Sequence, residues 1–430
     1  MTAADLDDAA VGDELPSADV GDVVLRADHV SVIYDGDSPT RAVRDVTIDL
    51  RRGEVLGIAG ESGCGKSTLA YALMRMLRPP ARLASGRISF YEEAGSVPVD
   101  IMSLEPEALR RFRWTKLSMV FQSAMNALNP VTSLRKQFSD IFETHVPEMR
   151  RSERDDRSRA LLEMVGIDPS RISGFPHELS GGMRQRVVIA MALALQPDVV
   201  IMDEPTTALD VVVQREILDE IERLREELGF SIIFITHDLS LLLEISDRLA
   251  VMYAGEIVEF APSDQVAIAP AHPYTLGLLE SFPDMRGARR QLHGIPGSPP
   301  SLAGDIPGCA FAPRCKLAFA PCVTVSPRLR PRSALVGGGL ALDAERVASG
   351  LGREQSWSVA CHLHDTELVP EGPPPSLRGT VPGISDDPSG EGGDSRSVCP
   401  GDASSTAGEE DASGETAELS DRSGRGEGRR

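Results

Sequence analysis

The chain has 430 residues, 41% of them hydrophobic, and a formal net charge of −21, enough for two or three domains with a sizeable core. Much of the charge sits at the ends. Asp5, Asp7, Asp8, Asp13, Glu14, Asp19 and Asp22 precede the first basic residue, Arg26, and residues 365–430 add about nine net negative charges. This acidity excludes a general nucleic-acid binder, which needs a basic face, and the longest apolar run, residues 187–195, is far short of the ~20 residues that cross a bilayer.

No basic-then-apolar signal segment opens the chain. It therefore reads as cytoplasmic, with its six cysteines reduced or metal-bound rather than paired in disulfides. The acidic leader, residues 1–22, and the tail, residues 366–430, read as disordered solvating segments.

Residues 23–50 alternate apolar and polar positions (VVLRADHVSVIY, then AVRDVTIDL), the pattern of antiparallel strands. Tyr34 ends the first of these runs. Residues 55–59 (VLGIA) suit a buried parallel strand, and residues 67–77 (STLAYALMRML) space their apolar side chains as a helix does. Between strand and helix lies Gly60-Glu61-Ser62-Gly63-Cys64-Gly65-Lys66-Ser67-Thr68, which contains GxxxxGK[ST]. Glycines let such a loop fold tightly, so that successive backbone N–H groups point inward at an anion. The helix N-terminus adds its positive dipole end, Lys66 a mobile charge and Ser67 an oxygen for Mg²⁺. Cys64 reads as a small residue within that loop.

A strand-like GRISFYEE follows, and then LSMVF, residues 117–121, leading to Gln122. Residues 123–196 turn helical, with a charged amphipathic helix over 150–165 and a long one over 180–195. The second opens at Leu179-Ser180-Gly181-Gly182, where Ser180 suits an N-cap and the glycines admit a ligand close to the backbone. Residues 199–204 (VVIMDE) form an apolar strand with Asp203 and Glu204 at its tip. A helix over 206–228, a buried strand leading to His237 and a hairpin turning at Ala254-Gly255 complete this part. Lys66, Asp203, Glu204 and His237 therefore share the C-terminal ends of strands, where open α/β sheets bind their ligands. In that setting Asp203 holds Mg²⁺ opposite Ser67, and Glu204 orients or deprotonates a water in line with the terminal phosphate. Gln122 reaches the metal or that water, and His237 donates to the γ-phosphate.

Taken together, GESGCGKS, Gln122, LSGGMRQR, VVIMDE, ALD and His237 resemble the nucleotide-binding subunit of an ABC transporter, over residues 24–365. The resemblance implies an α/β fold: a P-loop NTPase core of ABC ATPase type with an antiparallel β subdomain and a helical subdomain. The ATPase domain would span residues 23–270, with its helical part over about 123–196. By the same resemblance Tyr34 stacks on adenine, and Ser180, Gly181 and Gly182 bind the γ-phosphate of ATP held on the opposite subunit. Asp210 would lie at that dimer interface, Gln122 would sense Mg²⁺ and couple to the membrane subunits, and His237 would act as the switch. A single phosphate loop and a single signature imply a second ATPase subunit, identical or homologous. Two transmembrane permeases and, indirectly, an extracytoplasmic solute-binding protein are implied too, with the chain on the cytoplasmic face of the membrane and no nucleic acid bound.

Residues 122–130 (QSAMNALNP), AHPYT from Ala271 and the segment from Gly308 to Cys315 are similar to the dipeptide/oligopeptide-importer branch. That similarity implies peptide cargo, with nickel chelates or sugars as alternatives, and a small C-terminal domain over residues 271–365. By spacing alone Cys309, Cys315, Cys322 and Cys361 read equally as metal ligands or as small buried residues. The resemblance implies a [4Fe–4S] cluster, with zinc as the alternative; a redox sensor governing the ATPase is a further reading, compatible with transport. A non-transport ABC ATPase acting on DNA would need long coiled-coil arms, and no sustained heptads occur between Ser67 and Ser180.

Overall fold

A computed structural model of the chain describes residues 22–122, 127–207, 209–281, 294–331 and 357–377. Except for Asp22 and residues 366–377, the expected disordered leader and tail lie outside the described residues.

The first two strands, β1 (Val23–Tyr34) and β2 (Thr40–Arg51), are long because their alternation holds for a full dozen residues each. Next come β3 (Val55–Ala59), the helix α1 (Lys66–Leu73), β4 (Ala81–Phe90) and the short β5 (Val99–Asp100). The strand expected from Gly86 begins five residues earlier, since β4 pairs along β1 as far as Tyr34↔Ala81. These elements give one antiparallel sheet in the order β2-β1-β4-β5.

The chain continues through α2 (Pro106–Thr115) and β6 (Leu117–Val120), then three helices, α3 (Leu134–His145), α4 (Arg151–Met164) and α5 (Gly181–Ala192). It returns as β7 (Val199–Asp203), α6 (Val211–Leu228), β8 (Ser231–Ile235), α7 (Leu239–Ile245), β9 (Arg248–Tyr253) and β10 (Glu256–Pro262). The helix expected from Thr206 starts later, because the Asp210 side chain accepts the Val213 N–H at 3.0 Å and so fixes the N-cap. Gly229 ends that helix in the left-handed region, φ 75°. Ala254 and Gly255 both take positive φ, 49° and 89°, as a two-residue hairpin turn demands.

The remaining elements are α8 (Ser263–Ile268), α9 (Pro273–Glu280), α10 (Ala320–Thr324), β11 (Arg330–Pro331) and β12 (Ser358–Val359). The central sheet has the order β11-β12-β10-β9-β3-β8-β7-β6. Strands β9, β3, β8, β7 and β6 run parallel, so β3, β6, β7 and β8 all end on one edge. The cysteine-bearing region adds strands to the edge of this sheet. Its β12 pairs with β10 (Glu259↔Val359).

Core side chains divide across the central sheet with the two-residue period of a strand. On β7, Val200 and Met202 face the helices α3 to α6, whereas Val199 and Ile201 face α1 and the antiparallel sheet. On β8, Ile232 and Phe234 take the first side, and Ile233 and Ile235 the second. Burial on both faces explains why these strands read as unbroken apolar runs. No helix among the described residues is long and apolar enough to cross a membrane.

Candidate nucleotide site

The phosphate loop leaves the end of β3 and enters α1. Its backbone is one that only glycine tolerates: Gly60, Gly63 and Gly65 have φ of 152°, 80° and 111°. A Cβ on Gly60 would lie 2.2 Å from the Met252 carbonyl oxygen, and one on Gly65 would lie 2.2 Å from that of Ala42. The β9–β10 hairpin braces the loop from below, with the Gly255 N–H donating to the Cys64 carbonyl at 2.9 Å. Lys66 is 6% exposed and donates to the Gly60 and Glu61 carbonyls at 2.7 and 3.0 Å. Its charge is thereby held over the loop. The Tyr34 and Thr68 hydroxyls meet at 3.2 Å, which sets Tyr34 beside the start of α1.

Across from the loop, Ser67 Oγ donates to Asp203 Oδ1 at 3.1 Å. Asp203 is fully buried, and its Oδ2 has no hydrogen-bond partner. Burial, more than the neighbouring Glu204 charge, raises its pKa against the opposing pull of Ser67 and Lys66. A buried carboxylate with one oxygen unsatisfied beside a serine hydroxyl fits a cation.

Glu204 follows with φ 48°, a strained conformation for a residue carrying a Cβ. Its N–H is tied to the Ile235 carbonyl at 2.8 Å, and the backbone turn takes its side chain off the alternation of β7. The carboxylate accepts from Gln122 Nε2 at 3.1 Å and Thr207 Oγ1 at 3.0 Å on Oε2, with His237 Nδ1 3.4 Å from Oε1. The structure thus gathers Gln122, Glu204 and His237 at one sheet edge beside Ser67 and Asp203. Thr207 is a fourth member that its sequence position did not reveal.

The signature segment is placed differently. Ser180 caps α5 by accepting from the Met183 N–H at 3.3 Å, and Gly181 and Gly182 form the first turn. A Cβ on Gly182 would meet Val213 Cγ1 at 2.6 Å, so α5 and α6 touch closely there. Among the described residues no hydrogen bond or ion pair joins Ser180, Gly181 or Gly182 to residues 60–68. Asp210 is exposed at the cap of α6, followed by Val211 and Val212, which are 81% and 69% exposed.

Cys309, Cys315, Cys322 and Cys361 all line one small pocket, together with His362. Burial chiefly pushes the Cys309 thiol up to about 11, and burial likewise raises Cys315 and Cys361. Among the described residues no three Cys, His, Asp or Glu side chains close around a single metal ion.

Comparison with known proteins agrees with this geometry. The ABC transporter family pattern matches residues 43–207, and that of the oligopeptide/dipeptide transporter C-terminal region matches residues 258–322. The dipeptide transport ATP-binding protein DppD of Bacillus subtilis is 42% identical over 310 residues, 71% of this chain and 90% of DppD. The oligopeptide transport ATP-binding proteins OppD of Mycobacterium bovis and Mycobacterium tuberculosis are each 43% identical over 329 residues. Those matches cover 73% of this chain but 52% of the mycobacterial proteins, so the chain spans about half their length.

Proposed function

The chain belongs to the ABC transporter family of ATP-binding proteins, in its oligopeptide/dipeptide branch, and we propose that it is the ATP-hydrolysing subunit of an importer for di- and oligopeptides. The observation that carries the catalytic part is the Glu204 carboxylate, held by Gln122, Thr207 and His237 next to the Ser67–Asp203 pair. Peptide cargo is supported by the match at residues 258–322 and by the names of the relatives. Peripheral attachment to the cytoplasmic face of a membrane, through two permease subunits, is part of the same proposal.

The loop from Gly60 to Thr68 cradles the phosphates with inward N–H groups and Lys66, while Tyr34 takes the adenine. Ser67, Asp203 and Gln122 would hold Mg²⁺, which when bound neutralises phosphate charge. Glu204 positions the attacking water and accepts its proton, and His237 donates to the terminal phosphate. Because Ser180, Gly181 and Gly182 lie off the loop of their own chain, they are assigned to ATP held by a second ATPase subunit. Exposed Asp210, Val211 and Val212 suit the surface that meets it. The test is reconstitution of the full chain with two permeases, a second ATPase and the solute-binding protein of such an importer. Peptide-dependent ATP hydrolysis and vesicle uptake are expected; stimulation by a nickel chelate but by no peptide would overturn the cargo assignment.

We further propose that Cys309, Cys315, Cys322 and Cys361 ligate a [4Fe–4S] cluster. What supports this reading is that the four thiols line one pocket, a ligand set of the kind that holds such clusters. Anaerobically purified protein is expected to be brown and to contain iron and acid-labile sulfide in equal amounts. A colourless protein free of iron would remove the cluster.

A further inference from the structure

Glu61, the second residue of the phosphate loop, is an unexpected neighbour for a triphosphate, since its carboxylate carries the wrong charge. The structure shows what compensates it. Arg314, 253 residues further along and next to Cys315, meets Glu61 in a two-pronged contact, Nη1 to Oε2 at 2.8 Å and Nη2 to Oε1 at 2.9 Å. The other N–H groups of the guanidinium are also used. Nε donates to the Pro296 carbonyl at 2.8 Å, Nη1 to the Tyr253 hydroxyl at 3.2 Å and Nη2 to the Ile295 carbonyl at 3.4 Å. The Arg314 side chain is 6% exposed, so the fork is locked in one orientation.

A second tie reaches the same residue. The Glu61 N–H donates to the Tyr274 hydroxyl at 2.9 Å. Tyr274 is fully buried, with its ring centroid 4.6 Å from that of Tyr253 and 5.4 Å from that of Phe311. Phe311 and Arg314 lie in the same short segment as Cys309 and Cys315. One face of that segment therefore borders the cysteine cavity, and the other grips the phosphate loop.

We propose that Arg314 is a positioning residue for the phosphate loop: it cancels the Glu61 charge and, with Tyr274, fixes the loop's entry, so that affinity for a nucleoside triphosphate depends on the cysteine-bearing segment. The proposal rests on reading residues 60–68 as the ATP site. Its signature is a rescue. Removing Arg314 leaves a carboxylate uncompensated beside the phosphates; neutralising Glu61 as well removes that repulsion.

In the full chain, Arg314→Ala is expected to weaken ATP binding about tenfold, one power of ten being about 1.4 kcal/mol, and to raise KM far more than it changes kcat. Adding Glu61→Gln to it is expected to restore affinity to within about threefold of wild type. If Arg314→Ala fails to fold by circular dichroism, Arg314→Lys replaces it, since lysine keeps the charge without the fork. A loss of about threefold is then expected. Affinity unchanged in the Arg314 variants, or a double variant as weak as Arg314→Ala alone, overturns the proposal. Lys66→Ala separates the two readings: if that variant binds ATP as well as wild type, the nucleotide site itself is misassigned. If Lys66→Ala loses binding while Arg314 and Glu61 prove uncoupled, the site stands and the positioning role falls.

Discussion

Glu204→Gln is expected to lower ATP turnover by about 10²–10⁴-fold, the range that a positioned general base supplies, while ATP binding stays near wild type. Glutamine has the shape of glutamate and offers an oxygen to the Gln122 and Thr207 donors, which sit 3.1 and 3.0 Å from the present carboxylate. It lacks the charge and the basicity needed to take a proton from water. The phosphate loop, braced by Gly255 and carrying Lys66, is left intact. The effect should therefore appear in phosphate release under single-turnover conditions and not in nucleotide binding. Thr207→Val, which removes only a donor that orients the carboxylate, is expected to cost about tenfold to a hundredfold, in line with the loss of one hydrogen bond to a charged group. Wild-type turnover of the Glu204→Gln variant in the assembled complex would mean that another group serves as base.

Much of this site was legible in the sequence because its parts are local. GxxxxGK[ST] between a strand and a helix, and two carboxylates after four apolar residues, each state their own structural context. The shared sheet edge followed from the parallel-strand reading. What the sequence could not show were contacts between distant segments. Thr207 lies three residues past Glu204, and a turn closed by its N–H on the Glu204 carbonyl at 3.3 Å brings the two together. Arg314 and Tyr274 stood out through family likeness alone, and nothing local tied them to Glu61. The small C-terminal domain over residues 271–365 was expected from family likeness, with no local signal for how it meets the central sheet. Two residues of β12 pair with β10, a contact too short to leave a periodic signal.

The joint between the two sheets was equally invisible, and it supports the largest stability prediction. Arg248, 1% exposed at the start of β9, donates through Nε and Nη2 to Glu54, the latter at 2.8 Å, and through Nη2 to Asp49 Oδ2 at 3.0 Å. Asp49 belongs to β2 in the antiparallel sheet, so one guanidinium ties that sheet to the central one. Burial opposes the Arg248 charge, yet the hydrogen bonds and attraction of Glu54 and Asp49 outweigh it and raise its pKa. The guanidinium also lies 4.8 Å from the centre of the Phe260 ring. Arg248→Met is expected to cost about 3–5 kcal/mol, because Glu54 would remain buried and charged with no cation beside it. The readout is a lower urea midpoint at unchanged slope. Combining it with Glu54→Leu is expected to recover at least about half of that loss, since an apolar pair of similar volume removes the orphaned charge. A double variant no more stable than Arg248→Met would instead locate the cost in lost packing. Because Tyr34 stands on the tied sheet and Thr68 on α1 beside the central one, loosening this joint should also weaken ATP binding. A variant that loses stability but keeps full ATP affinity would show that the Tyr34–Thr68 contact holds without it.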